Sequence, residues 1–237
     1  MKSKLNYIII MLLILVSCQN SSIINDLQFL NYSSHPKKIT ETRTFPNSIN
    51  VFGKDEKINK SVSVFYFTKD GFLTKVENYS LSRDESLNEK DIDEIFKYNS
   101  RNKEKRYFRH IMGESEMIIA EGYLEKISDS LYTRVSESKI FNTSNDKLFY
   151  FDKNNRIKKT EQTGFLYSSS ELNIVVHYTY TDNLLTQTNR EDFINQTKSK
   201  TIIKNQKLDQ RGNPIYEELY DENDTLIQKV ERIFEYY

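Results

Sequence analysis

The sequence predicts a mainly β protein: an open, curved antiparallel meander of successive hairpins with one short helical insertion. Three observations carry this. The chain holds 16 tyrosines and 14 phenylalanines, with Ile, Val and Thr common and alanine almost absent, a usage that favours strands over helices. Second, a unit recurs in which an aromatic-rich run meets a turn cluster containing Asp with Asn or Gly, then a second run that opens on Leu or Ile. Third, several runs alternate. Leu226, Val230, Phe234 and Tyr236 fall on one face and Lys229, Glu231 and Glu235 on the other, while Ile174, Val176, Tyr178 and Tyr180 share a face.

Taken from the N-terminus, Lys2 and Lys4 precede an apolar run from Tyr7 to Val16 that is too short to span a bilayer. Residues 1–17 therefore read as an export signal. The run ends Leu15-Val16-Ser17-Cys18, which resembles the bacterial lipobox, in which the cysteine is diacylated and the chain is cut before it. Cys18 is the sole cysteine, so it can form no internal disulfide, and lipidation gives an exported thiol a use. A plain cleaved signal and an uncut anchor helix are the competing readings. The residues that follow, Gln19-Asn20-Ser21-Ser22, carry neither an aspartate after the cysteine nor an acidic cluster. By resemblance to lipoproteins of Gram-negative, Bacteroidetes-like bacteria, this implies an outer-membrane protein facing the periplasm, with the cell surface as the alternative. Residues 18–45 are expected to be a tether and domain entry, and residues 46–237 a single β domain.

Within that domain the hairpins are expected in order. Val62–Phe67 and Phe72-Leu73 flank Lys69-Asp70-Gly71; Tyr123–Ile127 and Leu131 flank Ser128-Asp129-Ser130; Lys147–Phe151 and Ile157 flank Asp152–Asn155. Val175–Tyr180 follows with Asp182-Asn183, then Leu208 with Asp209–Asn213 and Ile215, then Tyr220 with Asp221–Asp224 and Leu226. The one break lies near 86–98, where Leu87, Ile92, Ile95 and Phe96 recur at helical spacing behind a capping Ser86 or Asn88. The segments Tyr150-Phe151-Asp152-Lys153-Asn154-Asn155-Arg156-Ile157 and Leu208–Tyr216 resemble tyrosine-aspartate (RHS-type) and MORN-like repeats, best over 147–237. The resemblance implies a stack of β-hairpins and no activity.

Chemistry is sparse. With 34 basic and 34 acidic side chains in balance, the footprint of a nucleic-acid binder is missing. Only six glycines occur, with no run able to cradle a phosphate, and no nucleophile elbow is visible. His35, His110 and His177 are isolated, and His177 is expected to be a sheet histidine opposite the apolar face rather than a ligand. Asp221, Asn223 and Asp224 invite a calcium-loop reading, but Arg232 stands where the bidentate glutamate belongs. No catalytic residue, metal or cofactor is therefore assigned. Asp129-Ser130-Leu131 and Asp224-Thr225-Leu226 resemble the O-glycosylation sequence of exported Bacteroidetes proteins, which would make Ser130 and Thr225 acceptors; turn chemistry alone also explains them. The function expected is a non-enzymatic, lipid-anchored envelope protein of binding or structural type with a protein or glycan ligand. An envelope hydrolase using converging Asp and Glu, or an immunity lipoprotein, are the alternatives.

Overall fold

Asp and Thr side chains close four of the tight turns in one recurring way. Asp152 Oδ1 accepts from the backbone N–H of Asn154 and Arg156, at 2.8 and 3.0 Å, while Asn155 takes φ +58° and the Asp152 N–H donates to the Arg156 carbonyl. Asp209 repeats the pattern with Arg211, Asn213 and Gly212 at φ +82°, and Asp221 repeats it with Asn223, Thr225 and Asp224 at φ +64°. At the fourth site the Thr68 hydroxyl accepts from the Phe72 N–H and Gly71 takes φ +81°. Each is a side-chain-closed turn with one left-handed residue, a position that Asn, Asp and Gly tolerate.

The computed structural model describes residues 23–32, 34–50, 57–81, 94–99, 104–112, 117–166 and 170–237. Its strands are β1 (Pro36–Asn50), β2 (Lys57–Phe67), β3 (Leu73–Leu81), β4 (Glu94–Asn99), β5 (Lys105–Met112), β6 (Met117–Ser128) and β7 (Leu131–Ser138). They continue as β8 (Thr143–Phe151), β9 (Ile157–Leu166), β10 (Ser170–Thr181), β11 (Leu184–Asp192), β12 (Thr197–Leu208), β13 (Pro214–Tyr220) and β14 (Leu226–Tyr236). Each strand pairs antiparallel with the next in sequence, so the expected meander of successive hairpins is what forms. Its curvature runs further than an open sheet: β1 also pairs with β14, from Pro36↔Tyr236 to Thr44↔Lys229, and the sheet closes into a barrel. Closure leaves no unpaired edge along this seam.

Two expectations are corrected. The helix expected near 86–98 falls largely outside the described residues, and its last part is β4, paired with β3 through Val76↔Phe96 and with β5 through Phe96↔His110. Two flanking strands satisfy that backbone, which outweighs a short apolar repeat at helical spacing. The domain also starts earlier than residue 46. Residue 45 lies within β1, and a helix, α1 (Asp26–Phe29), precedes it. Four residues cannot form a stable helix alone. Asn25 caps α1 in a reciprocal box with Gln28, and Asn31 at φ +59° ends it.

Because the chain alternates direction, the start of β1, the end of β14 and the turns after β2, β6, β8, β10 and β12 lie at one end of the barrel, called proximal. The connections after β7, β11 and β13 lie at the distal end. Register separates the two faces. Phe234, Ile39, Phe65 and Val76 are direct cross-strand partners pointing inward, and Ile39 is fully buried. Ile39, Phe67, Leu73, Val76, Phe65 and Phe234 pack round Leu27 and Tyr32; Leu124, Tyr132, Phe151 and Ile157 pack round Ile24. Each such buried side chain contributes about 1.5–3 kcal/mol. Two aliphatics of the segment 24–32 are thus the centre of both inner clusters.

Candidate functional site

The proximal mouth is filled from within by residues 24–32. The Ile24 N–H donates to the Tyr132 hydroxyl at 2.9 Å, the Asn25 amide donates to the Asp70 carbonyl at 3.2 Å, and the Tyr180 hydroxyl donates to Asn31 Oδ1 at 2.9 Å. Phe29 meets Tyr132, Phe149 and Phe151 edge-on with ring centroids 5.3, 5.1 and 4.9 Å away, the geometry that aromatic quadrupoles favour. These contacts reach β7, β8, β10 and the β2–β3 turn, on well-separated sides of the barrel. The segment is a plug.

Two buried charge networks lock it. Asp26 accepts from Arg106 Nη2 at 2.8 Å and from the Leu73 N–H at 2.7 Å, and the Arg106 side chain is 1% exposed. Burial pushes the Asp26 carboxyl above its ordinary range and Arg106 opposes that push. The second network centres on Glu41, which accepts from Arg43 and Arg232 at 2.7 Å each and from the Tyr32 hydroxyl at 3.4 Å. Arg232 also donates to Glu217 at 2.6 Å, and Gln206 joins Glu217 at 2.7 Å. Burial alone would raise the Glu41 carboxyl, but the two guanidinium groups outweigh it and hold it below the ordinary carboxylate range. The pairs that tie distant strands, Asp26–Arg106 and Glu41–Arg232, have no sequence motif, since their partners lie 80 and 191 residues apart.

The outer face is polar. On β14 and β13 it carries Lys229, Glu231, Ile233 and Glu235 beside Tyr216, Glu218 and Tyr220. Glu218 accepts from Tyr216, Asn205 and Tyr220, which together lower its carboxyl to about 2. On β11 and β12, Asn189 pairs with Lys200 and Glu191 with Lys198; on β5 and β6, Lys105 pairs with Glu125 and Arg109 with Glu121. Lysines lie over outward tyrosine rings, Lys105 at 4.1 Å from Tyr123 and Lys159 at 4.2 Å from Tyr150. The outward valines Val62 and Val64 are covered by Tyr66 and Tyr79.

Two clefts stand out. An open groove of about 740 Å³ crosses the outer face of β5, β6 and β7; Tyr107, Tyr123, Ile118, Val135 and Ile140 line it with Arg109, Lys139, Glu121 and Glu137. Glu121 and Glu137 are direct cross-strand partners there, a like-charge pairing that costs stability unless something cationic sits nearby; Arg109 holds Glu121 at 2.8 Å. A smaller cleft of about 370 Å³ lies at the proximal mouth, between the plug and the turns after β8 and β10, lined by Asn25, Gln28, Asn31, His35, Arg156 and Asn183.

The residues singled out from sequence are scattered. Cys18 lies outside the described residues. Ser130 is exposed in the proximal β6–β7 turn and Thr225 in the distal β13–β14 turn, so both are accessible and they lie at opposite ends. His177 is exposed on the outer face between Lys159 and Asn189, opposite the inward row of Ile174, Val176, Tyr178 and Tyr180, as the alternation predicts. Asp221, Asn223 and Asp224 form the side-chain-closed turn, with Asp224 bonded to Lys204. No group of three metal-ligating side chains occurs among the described residues.

What emerges is an up-and-down β-barrel, plugged at one end and polar on its outer face. No protein-family model and no curated protein matches the sequence. Among solved structures, it is similar to a porin-like protein from Bacteroides vulgatus, with a TM-score of 0.47 and 10% identity. It is also similar to a porin-like protein from Bacteroides uniformis, with a TM-score of 0.46 and 8% identity; each match covers 86% of this chain and 99% of the other. At this level of similarity, neither neighbour's role transfers to this chain.

Proposed function

We propose that this chain is a non-enzymatic, lipid-anchored binding protein of the bacterial outer membrane, exported by residues 1–17, acylated on Cys18 and held beside the bilayer rather than within it. The observation that carries the reading is the charge on the outer face. A lysine or arginine on the lipid side of a membrane barrel costs about 2–4 kcal/mol near the midplane, and a spanning barrel carries an unbroken apolar belt. Here Lys229, Glu231, Lys200, Glu191, Arg109 and Glu121 occupy the positions such a belt would need. With strands unsuited to lipid, the membrane attachment falls to the acyl chains, two of which suffice for stable anchoring.

The binding surface in this reading is the groove over β5–β7. Its tyrosines and aliphatics offer contact area of low entropic cost, and Glu137, the member of the glutamate pair that Arg109 does not hold, favours an extended protein segment bearing Lys or Arg. The hydrolase alternative has less support. These two carboxylates sit side by side on one open face, Glu121 already paired with Arg109, rather than opposing each other across a deep cleft.

Two measurements test the proposal. Intact mass and fractionation of native protein beside a Cys18→Ser variant should give a membrane-bound chain beginning at Cys18 with added acyl mass, and a soluble variant. A chain that fractionates with membranes without acyl mass removes the anchor. Selection from a displayed peptide library should enrich basic, aromatic segments that lose binding to a Glu121→Gln/Glu137→Gln double variant; unchanged binding removes the groove.

A further inference from the structure

We infer that the barrel stands with its proximal end against the lipid headgroups and presents its distal end away from the membrane. The inference rests on the anchoring proposed above and adds an orientation to it. Six peptide steps separate Cys18 from Ile24, a reach of about 20 Å at full extension. Ile24 is fully buried and is pinned to Tyr132 near the proximal end, so the tether has no slack beyond that point. A strand the length of β10, 12 residues, tilted as in a barrel, spans about 30 Å along the axis. An acyl group on Cys18 therefore reaches a bilayer lying against the proximal turns, and falls short of one lying against the distal loops.

The two ends also differ in chemistry. The proximal turns expose Lys69, Asp129, Lys153, Asp182 and Arg211, a mixed-charge set that can rest among headgroups, and the exposed Ile127, Leu208 and Tyr237 at the adjoining strand ends can meet the interface beside it. The distal connections expose large apolar side chains at their tips: Ile140 and Phe141 after β7, 52% and 37% exposed, and Phe193 and Ile194 after β11, 53% and 45% exposed. Held away from the bilayer, these tips face the aqueous side of the envelope, and Ile140 among them also lines the β5–β7 groove.

Lys153 and Glu222 make the test internally controlled, because each is the second residue of the same aspartate-closed turn, one proximal and one distal. A fluorescent residue is placed at either position in the acylated mature protein, bound to phosphatidylcholine vesicles that carry a headgroup acceptor dye. Energy transfer should be strong from Lys153 and several-fold weaker from Glu222. Equal transfer would mean that the barrel lies on its side, and stronger transfer from Glu222 would mean that the apolar tips seat in the membrane; either overturns the orientation. Since Cys18 is the sole cysteine, the same comparison runs on protein joined there to a maleimide lipid. Missing acyl mass on native protein would then sink the anchor, while the transfer ratio still decides the orientation.

Discussion

Asp26 and Arg106 show what a single buried pair does in this molecule. The guanidinium is 1% exposed and its ion pair with Asp26 ties the plug to β5. Asp26→Ala should cost about 3–5 kcal/mol in urea unfolding, because it strips the carboxylate from a buried cation; a double Asp26→Leu/Arg106→Met variant should recover most of that loss. If the single variant unfolds at the wild-type midpoint, the pair does not hold the plug. Glu41 gives a pH signature. Its folded pKa lies below the ordinary value of 4.5, so its contribution is present above about that pH and is lost as pH falls through the folded pKa. Acid titration of stability should therefore steepen below pH ~4.5, and Glu41→Gln should flatten that limb while lowering stability at pH 7. An acid limb of unchanged slope in the variant would assign the pH dependence elsewhere.

At the scale of elements, the aspartate-closed turn is the repeating device. Asp152, Asp209 and Asp221 each satisfy two backbone N–H groups in turns that would otherwise leave them to water. Replacing Asp152 by Ala should cost about 1–2 kcal/mol, and Asp152→Asn, which keeps an acceptor oxygen, should cost less; thermal melts of the two variants make the comparison. Gly71 joins turn and plug. It holds φ +81°, and a Cβ there would come within 2.7 Å of Asn25 Nδ2 and Leu27 Cδ1. Gly71→Ala should therefore destabilise by about 1–3 kcal/mol and raise hydrogen exchange in residues 24–32 before it does so in the strands. Uniform exchange across the barrel would separate the turn from the plug.

For the whole molecule, the decisive quantity is the polarity of the outer face. A Cys18→Ser mature chain should stay monomeric in buffer without detergent, and it should raise no stepwise conductance when added to a planar bilayer. Detergent-dependent solubility, or channels, would mean that the charged outer face is covered by lipid after all. The plug bears on the same point. Segment 24–32 occupies the proximal mouth through contacts to β7, β8 and β10, so even a spanning barrel would be obstructed at that end.

The aromatic-rich strands, the Asp, Asn and Gly turn positions and the alternation along β10 and β14 were legible in the sequence, because strand propensity, turn chemistry and side-chain period act over a few residues. The export signal and acylated cysteine proposed for residues 1–18 rest on the same kind of local reading, and those residues lie outside the described ones. Closure of the sheet, the seat of residues 24–32 and the pairs Asp26–Arg106 and Glu41–Arg232 were not legible. They join residues 80 and 191 positions apart, and no local preference records which arginine will meet which carboxylate. Even β4 needed its neighbours, since Glu94–Asn99 takes its form from the strands on either side. What the chain is made of follows from short-range physics, whereas what fills the barrel and which face meets water follow from how β1 finds β14.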